Sequence, residues 1–210
     1  MSHKIGFATS QQQSQIESLR LQEYAQAKGY SVDLTTLKWK ASDEDSFVMY
    51  AQIGETLVST MRGEIINDQS LLEKKLECPL DFKAKLEWPV LLLSRAATLK
   101  SHQSIGMNLL LRYWFLKFAD FHQIPLVLGT FVDGSPRQNT LLKMGYQFFE
   151  NKLGWQQSTY RSHRPVIIAA LNMKTHGVQA QDFCKAQLST DAQQFNFKGN
   201  FPELRYVRNI

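Results

Sequence analysis

Two continuous apolar runs, residues 89–97 (PVLLLSRAA) and 125–132 (PLVLGTFV), bracket the longest helical pattern in the chain, residues 104–122. Near-continuous apolar runs suit strands covered on both faces of a sheet. A strand, a helix and a second such strand return to one sheet as a right-handed crossover, so the two strands must run parallel. This triplet predicts an α/β (α+β) architecture, a central mixed twisted sheet flanked by helices.

The remaining pattern fits around that unit. Residues 4–8 read as a short first strand, and residues 12–28 as a helix that Gly29 stops. Along this helix Ile16, Leu19, Arg20, Glu23, Tyr24 and Ala27 recur at spacings of three and four, one stripe on one face. An arginine on a core-facing stripe needs a partner, because a buried unpaired guanidinium is costly. A polar loop ends in Asp43-Glu44-Asp45, and residues 47–53 and 56–62 read as strands joined at Gly54-Glu55. Residues 68–76 form a short helix broken by Cys78-Pro79-Leu80-Asp81. A further helix starts at Asp133-Gly134-Ser135-Pro136 and ends at Gly145; residues 146–149 and 165–171 complete the strands. No repeat or low-complexity linker interrupts residues 1–171, which read as one domain. Residues 172–210 are more polar, with a helical pattern over 178–188, and suit a lid, a docking arm or a surface extension.

Composition excludes several classes. At 210 residues the chain is long enough for one well-buried domain. No apolar run approaches the ~20 residues of a membrane span, and the N-terminus lacks a signal-peptide apolar region; the expected location is the cytoplasm. The two cysteines, Cys78 and Cys184, are far apart, and the five histidines form no ligand pattern, so two free thiols and no metal are expected. The net charge of +5 comes from dispersed pairs such as Lys38/Lys40 and Lys74/Lys75, without a nucleic-acid recognition motif. A phosphorylated cofactor or an acidic carrier protein suits that balance better than nucleic acid does.

Several short motifs occur in a fixed order: Arg20-x-x-x-Tyr24 with Gly29-Tyr30, the acidic cluster 43–45, Thr60-Met61-Arg62, Ser94-Arg95, and Gln138-Asn139-Thr140-Leu141-Leu142-Lys143-Met144-Gly145-Tyr146. Together they resemble the GNAT-fold acyltransferases, in particular FeeM-type N-acyl amino acid synthases and the acyl-homoserine lactone (autoinducer) synthases. The likeness covers residues 5–171. It implies that the fourth and fifth strands splay apart, and that Arg20, an acid of the 43–45 cluster, Arg62 and Arg95 form a charge network in one cleft. Arg20, Tyr24, Tyr30, Asp43 and Asp45 are the implied acceptor-binding residues. The alternative for the network is a purely stabilising buried cluster.

On the donor side, the resemblance implies an acyl-pantetheine arm lying between the splayed strands, beside Leu93, Ser94 and Ala96. The loop Gln103-Ser104-Ile105-Gly106-Met107-Asn108 corresponds to the family's [Gln/Arg]-x-x-Gly-x-[Gly/Ala] phosphate loop, where backbone N–H groups and a helix N-terminus hold phosphate. Asn108 replaces the last small residue. That favours acyl carrier protein, with its single phosphodiester, over coenzyme A as donor; no permanently bound cofactor is expected. Lys100, His102 and Arg112 stand nearby for an acidic carrier, and Ser104 also reads as a helix N-cap. Leu109, Leu110, Trp114, Phe115, Phe118 and Phe121 either line an acyl tunnel or pack as core.

Acyl transfer to an amine needs a base and a donor to the tetrahedral oxyanion. The positions that carry a glutamate and a tyrosine in the family hold Leu92 and Leu141 here. Glu64 is the first remaining base candidate, with Arg62 and Arg95 beside it; Glu55, Glu87, the hydroxyls of Tyr24 and Tyr30, and a water relay are the others. Two functions follow. One is an N-acyltransferase moving a long-chain acyl group to an amino acid or similar amine, of which an autoinducer synthase using S-adenosylmethionine is a narrower form. The other is a catalytically silent GNAT-fold module that binds an acyl donor or metabolite.

Overall fold

A computed structural model describes residues 2–26, 30–77, 86–150, 160–162 and 165–206. The expected breaks at Gly29 and at 78–81, and the stripe residue Ala27, lie outside the described residues. Strands β1 (His3–Phe7), β3 (Phe47–Ile53), β4 (Thr56–Ile66), β5 (Val90–Thr98), β6 (Leu126–Val132), β7 (Gln147–Glu150), β9 (Val166–Asn172) and β10 (Asn196–Phe197) form one sheet. Their order across it is β10-β1-β3-β4-β5-β6-β9-β7. Two short strands, β2 (Tyr30–Val32) and β8 (Tyr160–Ser162), pair with each other apart from it. The strands expected as fourth and fifth are therefore β5 and β6. They are parallel, as the crossover requires.

Helices cover both faces. On one side α4 (Met107–Phe121) crosses β3, β4 and β5, with α6 (Met173–Gln187) packed on it. Phe115, Phe118, Leu110 and Leu111 interlock there with Met61, Leu91, Leu93 and Val127. The Phe115 ring lies so close to the main chain that a Cβ on Gly63 would sit 2.6 Å from it. On the other face α1 (Gln13–Ala25) packs Ile16 and Leu19 against Val48, Leu57 and Ala97. Beside it α3 (Gln69–Leu76), capped by the Asp68 carboxylate on the Leu71 N–H, packs Leu71, Leu72 and Leu76 against Val90, Leu92 and Leu128. Between α1 and β3 lies α2 (Ala41–Glu44), a four-residue helix. After β6, α5 (Arg137–Lys143) leads through Gly145 (φ 91°) into β7.

Three boundaries differ from the sequence reading. β4 runs on to Ile66, so Glu64 stands inside a strand rather than after one. The helix expected over 104–122 begins at Met107, because residues Lys100–Ile105 wind as a 3-10 turn and Gly106 reverses the chain at φ 86°. Ser104 is consequently exposed and not a cap; Gly106 precedes α4 with no side-chain cap at all. The last helix starts at Met173, earlier than 178, with the Asn172 side chain accepting from the N–H groups of Lys174 and Thr175.

The segment after 171 enters the main core. Ala180, Cys184, Leu188, Ala192 and Phe195 join the cluster under α4. β10 extends the sheet edge parallel to β1, pairing Lys4 with Asn196 and Ile5 with Phe197. Beyond it Phe201 packs edge-on against Phe7 and Phe118. Among the described residues, no helix is long and apolar enough to cross a membrane.

Candidate active site

The site grows from an irregularity in β5. Its ladder with β6 runs from Val90–Leu126 to Leu93–Gly129 and stops, so the two strands part at their C-terminal ends. Against β4, Thr60 faces Ala97 while Arg62 faces Ser94. Two residues of β5, Arg95 and Ala96, thus oppose Met61 alone, which is a β-bulge. Arg95 sits at φ 50°, a left-handed conformation that costs a non-glycine residue on the order of 1–3 kcal/mol. Strict alternation would send neighbours to opposite faces. The bulge instead turns Ser94 and Arg95 both toward the α1/α3 face, where each finds a polar partner.

Five elements deliver charges to that face. Asp43 of α2 accepts from Arg20 Nη1 of α1 at 2.9 Å and from Arg95 Nη1 at 2.8 Å. Arg62 Nη1 of β4 lies 3.9 Å from the same carboxylate. Arg62 Nη2 is 2.6 Å from Glu64 Oε2, and Lys75 Nζ of α3 is 2.8 Å from Glu64 Oε1. Ser94 Oγ accepts from Arg62 Nε at 3.0 Å and donates to Glu64 Oε2 at 3.4 Å. The side chains of Arg20, Asp43 and Glu64 are fully buried.

Among the described residues this cluster holds four cations and two carboxylates. Its electrostatics register the imbalance. Burial lowers the Arg20 pKa from the usual arginine range; Asp43 opposes the shift, and Arg95 and Arg62 add to it. Arg20 Nε and Nη2 are buried without a hydrogen-bond partner among the described residues, and the guanidinium lies 6.0 Å over the Trp39 ring. Buried donors without acceptors are rare and costly, and mark a place where an acceptor can be supplied.

The loop of residues 100–106 borders the same region. Glu23 of α1 accepts from the Lys100 N–H and from Gln103 Nε2, each at 3.3 Å, and Gln103 Nε2 also donates to Thr98 O at 3.1 Å. The Gln103 amide thus ties the loop to β5 and α1. With Gly106 in the left-handed region and no side-chain cap, the first N–H groups of α4 carry no side-chain acceptor. Asn108 stands in that first turn, its Nδ2 buried and without a partner among the described residues. Met107 is fully buried core, while Ile105 accepts from Ser189 through its carbonyl.

The structure brings together Arg20, Asp43, Arg62, Glu64, Ser94 and Arg95. It does not bring in Asp45, whose backbone N–H closes α2, nor Glu44, which is exposed. Tyr24 is half-buried against the α1 core cluster; Tyr30 lies in β2, and its side chain is outside the described residues. Leu92 and Leu141 are both buried among apolar neighbours, so neither position supplies a proton. Of the proposed acyl-tunnel residues, Leu110, Phe115 and Phe118 are core and Phe121 is 66% exposed. Sequence reasoning missed Lys75, although it shares the buried face of α3 with Leu71, Leu72 and Leu76, a cation on an apolar stripe like Arg20.

The sequence matches no protein-family model and no curated protein sequence. Its fold is that of the GNAT acyltransferases. The structure is similar to BjaI, a CoA-dependent acyl-homoserine lactone synthase bound to SAM and isopentyl-CoA: TM-score 0.65, 13% identity, covering 97% of this chain and 96% of that one. It is also similar to FeeM, an N-acyl amino acid synthase from uncultured soil microbes, at TM-score 0.56, 12% identity and coverage of 86% and 99%. The acyl-homoserine lactone synthase LasI aligns at TM-score 0.56 and 16% identity, with coverage of 81% and 89%.

Proposed function

We propose that the protein is an N-acyltransferase that moves a long-chain acyl group from a thioester to the amine of an amino acid or similar anionic acceptor. The observation that carries this reading is the buried Arg20 guanidinium, with two nitrogens that have no partner among the described residues, in a cation-rich cluster beside the point where β5 and β6 part. A carboxylate on the acceptor would satisfy those donors and offset the surplus charge. The acyl donor would lie between the diverging strands, along Leu93, Ser94 and Ala96, with its phosphate on the free N–H groups at the start of α4.

In this reading the neutral acceptor amine attacks the thioester carbonyl, the carbon–nitrogen bond forms as the carbon–sulfur bond breaks, and the leaving thiolate takes up a proton from Glu64 or from water. Backbone N–H groups of β5 beyond Leu93, no longer laddered to β6, stabilise the oxyanion. Arg62 and Arg95 hold the acceptor. Both Glu64 oxygens already carry a cation, so Glu64 takes the amine proton through Ser94 Oγ, which donates to it, rather than directly. Glu64 also fixes Arg62. Acyl carrier protein is the favoured donor because its single phosphodiester asks less than a diphosphate of a loop in which Asn108 stands for a small residue, with acyl-CoA second; the carrier-bound thioester puts the reaction in the cytoplasm.

Leu92 and Leu141, apolar where the family resemblance implies proton-transfer groups, favour a second reading, a GNAT-fold module that binds an acyl donor without turnover. Mass spectrometry of lipid extracts from a bacterial host with and without the expressed protein separates the two. New N-acylated amino acids support the enzyme. Their absence, together with acyl-thioester binding but no thiol release by the purified protein, supports the binding module.

A further inference from the structure

The C-terminal segment takes an unexpected course. From β10, anchored by the Lys198 N–H on Ile5 O at 2.8 Å, the chain passes Phe201, whose ring packs against Phe7 and Phe118. The Pro202 carbonyl is then bonded to His122 Nε2 at 2.9 Å, at the far end of α4. The next residues reach the opposite face's machinery. Arg205 Nη1 donates to Glu44 O at 3.3 Å, and its guanidinium lies 5.5 Å over the Phe47 ring. Tyr206 forms a parallel bridge with Ile65.

These two contacts fall on the residues directly after the two buried carboxylates: Glu44 follows Asp43, and Ile65 follows Glu64. The bridge is possible because β3 begins its ladder with β4 at Phe47–Gly63, so Glu64 onward lacks a β3 partner and the tail fills that edge. α2 has four residues, too few to be stable through its own hydrogen bonds. Its position is therefore set by what its ends are tied to. At one end the Asp43 carboxylate accepts from the Lys40 backbone N–H; at the other, Arg205 holds the last carbonyl and the first side chain of β3. A cation on terminal carbonyls is the favourable arrangement for a helix C-terminus.

We propose that residues 202–206 are a clamp for the acceptor site, with Arg205 as a positioning residue that acts through α2 on Asp43. The proposal rests on the acyltransferase reading. Asp43 sets where Arg20 and Arg95 point, so a shift of α2 opens the acceptor pocket while leaving the donor loop and the β5–β6 gap untouched. An exposed residue far from the donor thereby governs one substrate and not the other.

The test compares Arg205→Met and Arg205→Lys with the wild-type full chain. Arg205→Met is expected to raise the acceptor KM about 5- to 10-fold, with the donor KM unchanged and kcat within about 2-fold, the pattern of lost binding geometry. Arg205→Lys, which can donate to the same carbonyl and lie over the same ring, restores the acceptor KM. Hydrogen exchange of the Asp43 and Asp45 amides in the Met variant should speed up several-fold, with the α4 amides unchanged. Equal losses for acceptor and donor, failure of lysine to rescue, or unchanged exchange at Asp43 each overturn the clamp. If the wild-type protein forms no product with any acceptor, the acyltransferase reading fails, and exchange at Asp43 alone then decides the clamp.

Discussion

Asp43 accepts from Arg20, Arg95 and the Lys40 N–H, the last at 3.2 Å, and its removal reaches all three. In Asp43→Ala the consequences are unequal. Arg95, with 11% of its side chain exposed, can turn toward water. Arg20, at 0%, cannot, and would keep a buried guanidinium with no carboxylate. Removing one partner of a buried pair costs about 3–5 kcal/mol, and the lost Lys40 bond adds about 1 kcal/mol. Against a total stability of about 5–15 kcal/mol this is a large fraction. With a urea m-value of about 2–3 kcal/mol/M, the unfolding midpoint should fall by about 1.3–3 M. Tryptophan fluorescence follows the transition, with Trp39 lying beside Arg20. The double variant Arg20→Met/Asp43→Ala should recover about 2 kcal/mol, because the stranded charge is gone. A single-variant cost under about 1 kcal/mol, or a double variant equal to the sum of the singles, would refute the argument that Asp43 neutralises Arg20.

Both Arg95→Ala and Arg95→Gly lose the ion pair, but glycine alone is at ease at φ 50°, so urea titration should find Gly more stable than Ala by about 1 kcal/mol. Burial pushes the Cys184 thiol up to about 12. Its neutral form is therefore favoured in the folded state; that stability is complete below the ordinary thiol pKa of about 8.5 and declines as pH rises toward 12, by up to about 1.4 kcal/mol per unit. Comparing wild type with Cys184→Ala at pH 8 and 10.5 should show the larger alkaline loss in wild type. On the donor side, calorimetry should find tighter binding of a long-chain acyl carrier protein than of acetyl-CoA, weakening steeply with salt, and Asn108→Ala should improve coenzyme A binding; tight, salt-insensitive acetyl-CoA binding by wild type would point to a short-chain acetyltransferase.

The parts of the fold written as strong periodicities were legible in the sequence. The runs containing Leu91–Leu93 and Val127–Leu128 are apolar at adjacent positions because both sheet faces are covered, and the crossover fixes their direction. Arg20 announced the network by interrupting an apolar stripe. Which acid it meets was not legible: Asp43 differs from Glu44 and Asp45 by its phase on a four-residue helix, too short for a period to register. The bulge at Arg95 left no signature either, since such a site usually shows a glycine. The reach of α6 was obscured by its contact residues, Gly177, Ala180 and Cys184, which are small rather than strongly apolar. The tail contacts depend on tertiary proximity, which no local pattern encodes, whereas Lys75 carried the same signal as Arg20, a cation spaced among the apolar residues of its helix.

The pairing of β10 with β1 has a consequence for synthesis. The strand that covers the open edge of β1 follows it by roughly 190 residues, at about 5–20 residues per second a delay of about 10–40 s. Through that interval β1 can pair with β3 but presents bare N–H and C=O groups on its other side, and α4 waits for α6. Closure of this edge therefore waits on the late arrival of β10. Until then the nascent chain offers an unpaired edge beside Phe7, the kind of surface that invites association with other chains.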